Sequence, residues 1–294
     1  MEYLPAKQIL SARATSDNWF GINYNMNIYR GCCHGCIYCD SRSDCYQIKD
    51  FDVVGVKENA IDILNNELKS KRKKGVVGTG AMSDPYNPLE NEYKLTRSAL
   101  ELVNKYNFGA AIATKSDLVI RDIDILKEIK SHSPVIVKIT ITASDDEVCK
   151  AIEPYVAPSS RRFEAINQLS KNGIFAGILL MPILPFIEDS NENILKIINL
   201  AAQNGAKFIY PAFGVTLRQN QREYFHGKLD ESFKGIKQKY IKEYGFSYWC
   251  PSLRAKELWQ LFKSECDRLG ILYKMKDIIR AYTAEYEKEQ LSLF

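Results

Sequence analysis

The sequence predicts an α/β protein built on parallel strands: a β/α barrel, partial or full, or a doubly wound sheet. Three observations predict it. Strand-length apolar runs alternate with helix-patterned segments up to about residue 213. The runs, such as PVIVKITITA at 134–143, are almost continuously apolar, as strands covered on both faces must be. The links between elements are short, which favours right-handed crossovers between parallel neighbours.

In chain order, residues 22–28 read as a first strand, placed just before a cysteine-rich loop. Residues 57–74 read as a helix, with Ile61, Leu64 and Leu68 spaced along one face. VVGTG (76–80) is a buried strand, TRSALELVNKY (96–106) a helix and GAAIATK (109–115) a strand. DIDILKEIK (122–130) is a helix and PVIVKITITA the next strand. RRFEAINQLSKNG (161–173) is a helix that Gly173 ends as a C′ glycine. IFAGILLMPILP (174–185) is a strand with its exit loop, ENILKIINLAAQNG (192–205) a helix, and AKFIYPAF (206–213) the last strand. With the first strand the count is six. Either architecture places ligands at the carboxyl ends of its strands.

From residue 214 the alternation stops, and the chain reads as helical, basic and rich in aromatics. The expected organisation is a barrel over 1–213 with a cysteine loop at 29–45, a helical region over 214–283, and a charged tail over 284–294. With 294 residues, 46% of them hydrophobic and 26% charged, the chain is neither collagen-like nor mainly disordered. No apolar run reaches the ~18 residues of a membrane span, and MEYLPAKQIL lacks the pattern of a signal peptide. A soluble, cytoplasmic protein is expected. The net charge of +4 does not by itself indicate a nucleic-acid partner.

Five of the eight cysteines lie together, at 32, 33, 36, 39 and 45, within YRGCCHGCIYCDSR and just beyond it. In a cytoplasmic chain, crowding of this kind points to metal or catalysis rather than to disulfides. Cys32, Cys36 and Cys39 have the spacing C-x3-C-x2-C. Three thiolates in a short loop can hold three irons of a 4Fe–4S cluster and leave the fourth open to a small molecule. The alternative is a structural zinc site completed by Cys33, His34 or Cys45, although zinc more often takes paired C-x2–4-C knuckles.

NIYRGCCHGCIYCDSR, VVGTGAMSDPYNPLE, IATKSDLVIRD, KITITASDDEVCKAIEP and GILLMPILP occur in this order. With these motifs the sequence resembles radical S-adenosylmethionine (SAM) enzymes, and among them the spore photoproduct lyase-like group. The resemblance implies a partial (β/α)6 TIM-like barrel with an α-helical C-terminal extension. It implies a 4Fe–4S cluster on Cys32, Cys36 and Cys39 that cleaves SAM to a 5′-deoxyadenosyl radical, and an external one-electron donor. Tyr38 corresponds to the aromatic residue near the SAM adenine, and Ser83 and Asp84 to the polar pair near its amino group. Lys115 and Thr140 correspond to residues at the SAM carboxylate end, and Arg162 to a further contact. Two departures stand out. Ala81 occupies the position of the lyase's hydrogen-donor cysteine, and Asp40 that of its second tyrosine. Cys33, Cys45 or Cys250 could replace the donor. Cys250, within FSYWCP, is the candidate nearest a substrate; the plainer reading makes it a small buried apolar residue.

The chain ends in QLSLF, which resembles the short peptide by which bacterial repair and replication proteins bind the DNA sliding clamp. Leu291, Leu293 and Phe294 would fill apolar pockets and Gln290 would make a polar contact; the alternative is a tail packed on its own domain. Arg218, Arg222, Tyr224, Phe225, Tyr248, Trp249, Arg254 and Trp259 could clamp DNA or form a helical cap with its own core. KSKRKK (69–74) reads first as a solvated helix end, with a phosphate-binding patch as the alternative. Gly78 and Gly80 lack the Lys-Ser/Thr of a phosphate loop and read as a turn or a close approach to SAM. His34 reads as a hydrogen-bonding neighbour of the ligands, and His132 and His226 have no assigned role.

Three readings follow. The first is a radical SAM enzyme acting on damaged DNA. The second is the same chemistry on a peptide, RNA or metabolite. The third is a non-enzymatic cluster-binding module.

Overall fold

The computed structural model describes residues 2–13, 19–80 and 82–290. The strands are β1 (Glu2–Leu4), β2 (Leu10–Ala12), β3 (Tyr24–Met26), β4 (Tyr29–Arg30), β5 (Gly55–Lys57) and β6 (Val76–Gly78). They continue as β7 (Gly109–Thr114), β8 (Val135–Thr140), β9 (Phe175–Leu180), β10 (Ile209–Pro211), β11 (Gly214–Thr216) and β12 (Trp249–Pro251). The helices are α1 (Ala60–Ser70), α2 (Glu90–Tyr93), α3 (Leu95–Lys105), α4 (Ile123–Lys130), α5 (Asp146–Ile152) and α6 (Ser159–Lys171). The others are α7 (Asn191–Gln203), α8 (Gln221–Ser232), α9 (Ile236–Tyr244), α10 (Ala255–Leu269) and α11 (Met275–Gln290).

The main sheet has the order β10-β9-β8-β7-β6-β3-β2. Its six strands from β3 to β10 are parallel, and β2 adds an antiparallel edge to β3. This is the expected partial (β/α)6 barrel. Each strand is a β-branched apolar run because both of its faces are covered. On β8, Val135, Val137 and Ile139 pack outward under the helices, and Ile136 packs inward with Phe20, Ala111 and Phe208. Each such residue contributes roughly 2 kcal/mol relative to leaving it in water. The helices start and stop where local chemistry dictates. The Asp145 carboxylate accepts the Glu147 and Val148 N–H groups at the head of α5. Gly173 follows α6 at φ +73°, as a C′ glycine must.

The open side of the barrel, between its first and last parallel strands, is filled by Trp19 and Phe20. Both rings stack edge-on against Tyr210 of β10, at 5.4 and 5.5 Å. From outside, α11 holds this plug: the Tyr282 hydroxyl donates to the Phe20 carbonyl (2.5 Å).

Three expectations need correction. The region after 213 is not purely helical, because β11 and β12 pair as an antiparallel ribbon. The charged stretch expected as a free tail is helical as far as Gln290, and the Tyr286 hydroxyl ties it to the Lys130 carbonyl (2.7 Å). Helix α1 stops at Ser70, so Lys71–Lys74 lie beyond it. Leu291, Leu293 and Phe294 lie outside the described residues, as does Ala81. No helix of the described residues is long and apolar enough to cross a membrane.

Candidate active site

The cysteine loop leaves β4 and returns on β5, and these two strands pair antiparallel (Tyr29↔Val56, Arg30↔Gly55). Gly31 makes the exit turn at φ +77°, where a Cβ would lie 2.4 Å from the Val53 carbonyl oxygen. The Cys32 N–H donates to the Phe51 carbonyl (2.8 Å), and the Ile37 N–H to the Ile152 carbonyl (2.9 Å). The loop is thereby fixed on the end of α5. Cys32, Cys36 and Cys39 all line one cavity of about 370 Å³, a size suited to a small molecule. The cavity opens at the carboxyl ends of the barrel strands, where Gly80, Thr114, Lys115, Thr140 and Leu179 form its walls. Among the described residues, no three His, Cys, Asp or Glu side chains group closely enough to hold a single ion. Three thiols on one cavity wall can hold three irons of a cluster.

Asp84 organises the adjoining wall. Its Oδ1 accepts the Tyr86 N–H (2.8 Å) and the Thr114 hydroxyl (2.6 Å), and its Oδ2 accepts the Lys115 N–H (2.7 Å). The carboxylate so fixes the end of β7 and the root of Lys115. Ser83 Oγ donates to the Gly31 carbonyl (2.6 Å), tying this wall to the cysteine loop. Gly80 stands at φ +85°, and a Cβ there would lie 2.2 Å from the Ala113 carbonyl oxygen. Gly80 is thus packed closely against β7 on the cavity wall. Gly80→Ala is expected to lower stability by about 2 kcal/mol, read from the denaturation midpoint.

Burial outweighs the local cation at the thiols. Burial raises the Cys36 and Cys39 thiols above the ordinary value, and Lys115 pulls both down. Burial works against the Lys115 ammonium, but Cys36, Glu153, Cys39 and Asp84 together hold its pKa above the ordinary lysine value. Burial likewise opposes charge on His34, yet Asp84, 3.6 Å from Nδ1, keeps its pKa raised. His34 lines the cavity beside the cysteines, as the sequence suggested.

Tyr38 lines the same cavity, with the Lys115 Nζ 5.7 Å from its ring centroid. Its hydroxyl donates to Glu153 Oε1. Glu153 Oε2 pairs with Arg162 (2.6 Å), whose other nitrogens donate to the Thr140 carbonyl (2.8 Å) and the Ala157 carbonyl (2.6 Å). Arg162 is therefore placed behind the cavity wall, wholly buried, and not on it as the family pattern implied. Thr140, whose carbonyl Arg162 grips, is on the wall. Breaking a buried pair leaves an uncompensated charge. Arg162→Met is accordingly expected to destabilise the fold by about 3 kcal/mol. In the Glu153→Gln/Arg162→Met protein much of that loss should return, a recovery that equilibrium unfolding can test.

Cys250 is also off the cavity. Its thiol is buried in a satellite core with Val215 and Tyr240, and contacts the Ser247 carbonyl at 3.6 Å. Burial pushes its pKa up to about 11. The residues either side of it in the ribbon face differently: Trp249 lines the cavity and is 45% exposed. Alternation along a strand explains this, since neighbouring side chains point to opposite faces. Cys33 and Cys45 do not line the cavity either.

The C-terminal region contributes one residue that the sequence did not single out. Gln221, fully buried, donates to the carbonyls of Tyr38 (2.8 Å) and Thr216 (2.7 Å). Arg218 donates to Asp40 Oδ1 (3.0 Å), so Asp40 joins the cysteine loop to the ribbon. Of the aromatic and basic candidates, Phe225 and Arg222 are buried, and Arg222 holds the carbonyls of Gly245 and Ser247 (both 2.8 Å). Arg254 pairs with Glu257, and Trp259 packs on Phe262 and Tyr273. Tyr224 lies under Arg42. Phe246 (94% exposed), Tyr248 and Trp249 remain exposed; of the three, Trp249 lines the cavity, and Arg218 stacks on Tyr248 at 4.8 Å.

A partial barrel that gathers a C-x3-C-x2-C loop and a small-molecule cavity at its strand ends defines an iron–sulfur enzyme of the barrel type. The chain belongs to the radical SAM superfamily, whose model matches residues 26–201. Its cofactors are a 4Fe–4S cluster and SAM. It is 36% identical over 172 residues to an uncharacterized protein of Methanocaldococcus jannaschii, a match covering 58% of this chain and 63% of that relative. The chain thus spans less than two thirds of that relative's length. It is 28% identical to an uncharacterized protein of Mycobacterium tuberculosis, over 75% of this chain and 67% of the other. Spore photoproduct lyase complexed with dinucleoside spore photoproduct has the same fold. Its TM-score is 0.64 at 14% identity, over 91% of this chain and 78% of the lyase. The radical SAM methyltransferase TsrM from Kitasatospora setae matches at TM-score 0.51 and 11% identity, over 70% of this chain and 38% of that one.

Proposed function

We propose that this enzyme acts on damaged DNA, presented to the cavity as an extruded nucleotide. The observation that carries the reading is a set of exposed aromatic rings. Trp249 offers a half-exposed aromatic face on the wall of the cysteine-lined cavity, and exposed Phe246 and Tyr248 precede it in the chain, with Arg218 stacked on Tyr248. Exposed rings stack unpaired bases and a guanidinium meets phosphate, and a base must leave the duplex to reach chemistry inside a barrel.

Bound in the cavity, the 4Fe–4S cluster and SAM supply a 5′-deoxyadenosyl radical that removes hydrogen from a substrate carbon. In this reading Cys32, Cys36 and Cys39 hold the cluster. Tyr38, its hydroxyl anchored on Glu153, offers its ring to the adenine. Lys115 supplies the cation for the SAM carboxylate, with the Thr140 hydroxyl near the same end. A carboxylate has about four acceptor sites; Asp84 uses three within the fold, and the remainder suits an ammonium. Ser83, its proton given to Gly31, keeps acceptor capacity on the same side. Trp19 and Trp249, both on the cavity wall, restrict water there. The electron comes from an external one-electron donor.

The lyase's own hydrogen return does not carry over. Ala81 stands in place of the donor cysteine, and among the described residues the only cysteines on the cavity wall are Cys32, Cys36 and Cys39. That observation supports a second reading, in which the same machinery serves a peptide, RNA or metabolite. Gln290, Leu291, Leu293 and Phe294 would recruit the enzyme to the DNA sliding clamp, and deleting 290–294 should then abolish clamp binding.

The deciding experiment measures 5′-deoxyadenosine release by anaerobically reconstituted protein with SAM and reductant. It is run with and without irradiated DNA that contains spore photoproduct. Release that rises with the lesion supports the DNA reading. Release indifferent to it moves the substrate to the second.

A further inference from the structure

We infer that the base of the barrel, opposite the cavity, is a docking surface for the phosphate backbone of duplex nucleic acid. The inference goes beyond the reading of the mouth and does not depend on it.

Lys71, Arg72, Lys73 and Lys74 lie past the end of α1, immediately before β6 begins at the amino-terminal end of the sheet. Only Lys71 sits at the helix cap, so the helix dipole does not account for the other three. Lys105, at the end of α3, joins them. The Lys71 Nζ is 5.7 Å from the Tyr24 ring, the Lys74 Nζ 4.6 Å from Phe108, and the Lys105 Nζ 5.2 Å from Tyr106. Tyr24 and Phe108 are themselves in edge contact at 5.8 Å. The Lys71, Lys74 and Lys105 ammonium groups are thereby held over neighbouring aromatic rings, and Arg72 and Lys73 lie between the first two in the chain.

Elsewhere on this protein many exposed cations are neutralised. Lys228 pairs with Glu231, Lys237 with Asp230, Arg254 with Glu257 and Arg268 with Glu265. None of the five has an ion-pair partner among the described residues. The nearest acid in sequence, Glu67, spends its Oε2 on the Ile9 and Leu10 N–H groups. The patch continues through Asn104, bonded to His132 (2.8 Å) and to the Glu128 carboxylate (2.9 Å), to a depression lined by Lys127 and Lys130, with Glu285 on its wall.

A polyanion complements such a surface. Stable anchoring on a lipid surface takes a second signal beside a basic patch, such as inserted apolar side chains, and the rings under these lysines, Tyr24 and Phe108, are buried. A phosphate backbone needs only the charges, and gains from the release of its counterions.

The test is fluorescence anisotropy with an undamaged ~30-bp duplex over a salt series. Wild type is compared with the Lys71→Gln/Arg72→Gln/Lys73→Gln/Lys74→Gln protein. The charge-matched control is Lys150→Gln/Lys196→Gln/Lys256→Gln/Lys263→Gln. The first variant should bind at least tenfold more weakly at ~100 mM salt, with the slope of log K against log[salt] reduced by about three. The control should keep most of the wild-type slope. Equal losses in both variants would reduce the effect to net charge and overturn the inference, as would an unchanged slope or no wild-type binding. Wild-type binding to phosphatidylserine vesicles, with none to duplex, would make the patch a membrane contact instead. Lesion-dependent 5′-deoxyadenosine release on a short oligonucleotide reports on the mouth alone, so either idea can fail without the other.

Discussion

Cys36→Ala is expected to remove the iron and sulfide of anaerobically reconstituted protein. It should also lower 5′-deoxyadenosine release by ~10³-fold or more, to background. Of the three cavity cysteines, Cys36 is the most enclosed. Its thiol is held above the ordinary pKa by burial, and Lys115 is the chief group pulling it down. In the wild type without cluster, a neutral buried thiol sits beside a buried ammonium. Alanine should therefore cost the fold little while costing the site everything. Iron and sulfide assays measure the first part, and melting of the unreconstituted variant checks the second. A variant that keeps a full complement of iron would move the ligand set to Cys33 or Cys45.

Lys138→Met is expected to stabilise the protein by about 4 kcal/mol at pH 7. Lys138 points into the barrel from β8, wholly buried, with its Nζ 4.8 Å from the Phe20 ring and no hydrogen-bond partner among the described residues. Burial brings its pKa from the ordinary 10.5 to about 7. The folded state therefore sheds a proton that the unfolded chain keeps between those two values. Through that window wild-type stability gains a positive slope with pH from this residue, and the penalty reaches its full size at pH 7 and below. The advantage of the methionine variant should be largest near pH 7 and shrink steadily toward pH 10. Paired denaturation curves at pH 7, 8, 9 and 10 measure it. A constant difference across that range would mean that the lysine stays charged in the folded barrel.

The barrel was legible because its signal is local. Six apolar runs with five helix patterns between them need no long-range information to be counted, and the cysteine spacing is equally local. Lys138 was passed over because one charge in PVIVKITITA does not spoil an apolar run. Only the sheet register shows that it faces inward, next to Ala113 on β7. Arg162 was misplaced for a related reason. A motif fixes which residue is present, while its direction depends on Glu153 being buried within reach. The ribbon of β11 and β12 joins segments 35 residues apart at Val215 and Cys250, and nothing in either short segment announces the other. Gln221 and the bond from Arg218 to Asp40 were invisible for the same reason.

Gln221 and Arg218 reach back to Tyr38 and Asp40 across more than 170 positions of chain, and this bears on how the protein can be taken apart. The superfamily model ends at residue 201, yet the loop that holds the cysteines is braced from beyond that boundary. The catalytic and C-terminal portions are then not interchangeable cassettes. Grafting the region after 213 from a relative with other residues at 218 and 221 would unseat the cysteine loop, even if the new partner brought a better grip on the substrate. Changes of specificity in such a protein have to be made in place, by altering side chains on the ribbon while its two staples to the loop are left intact.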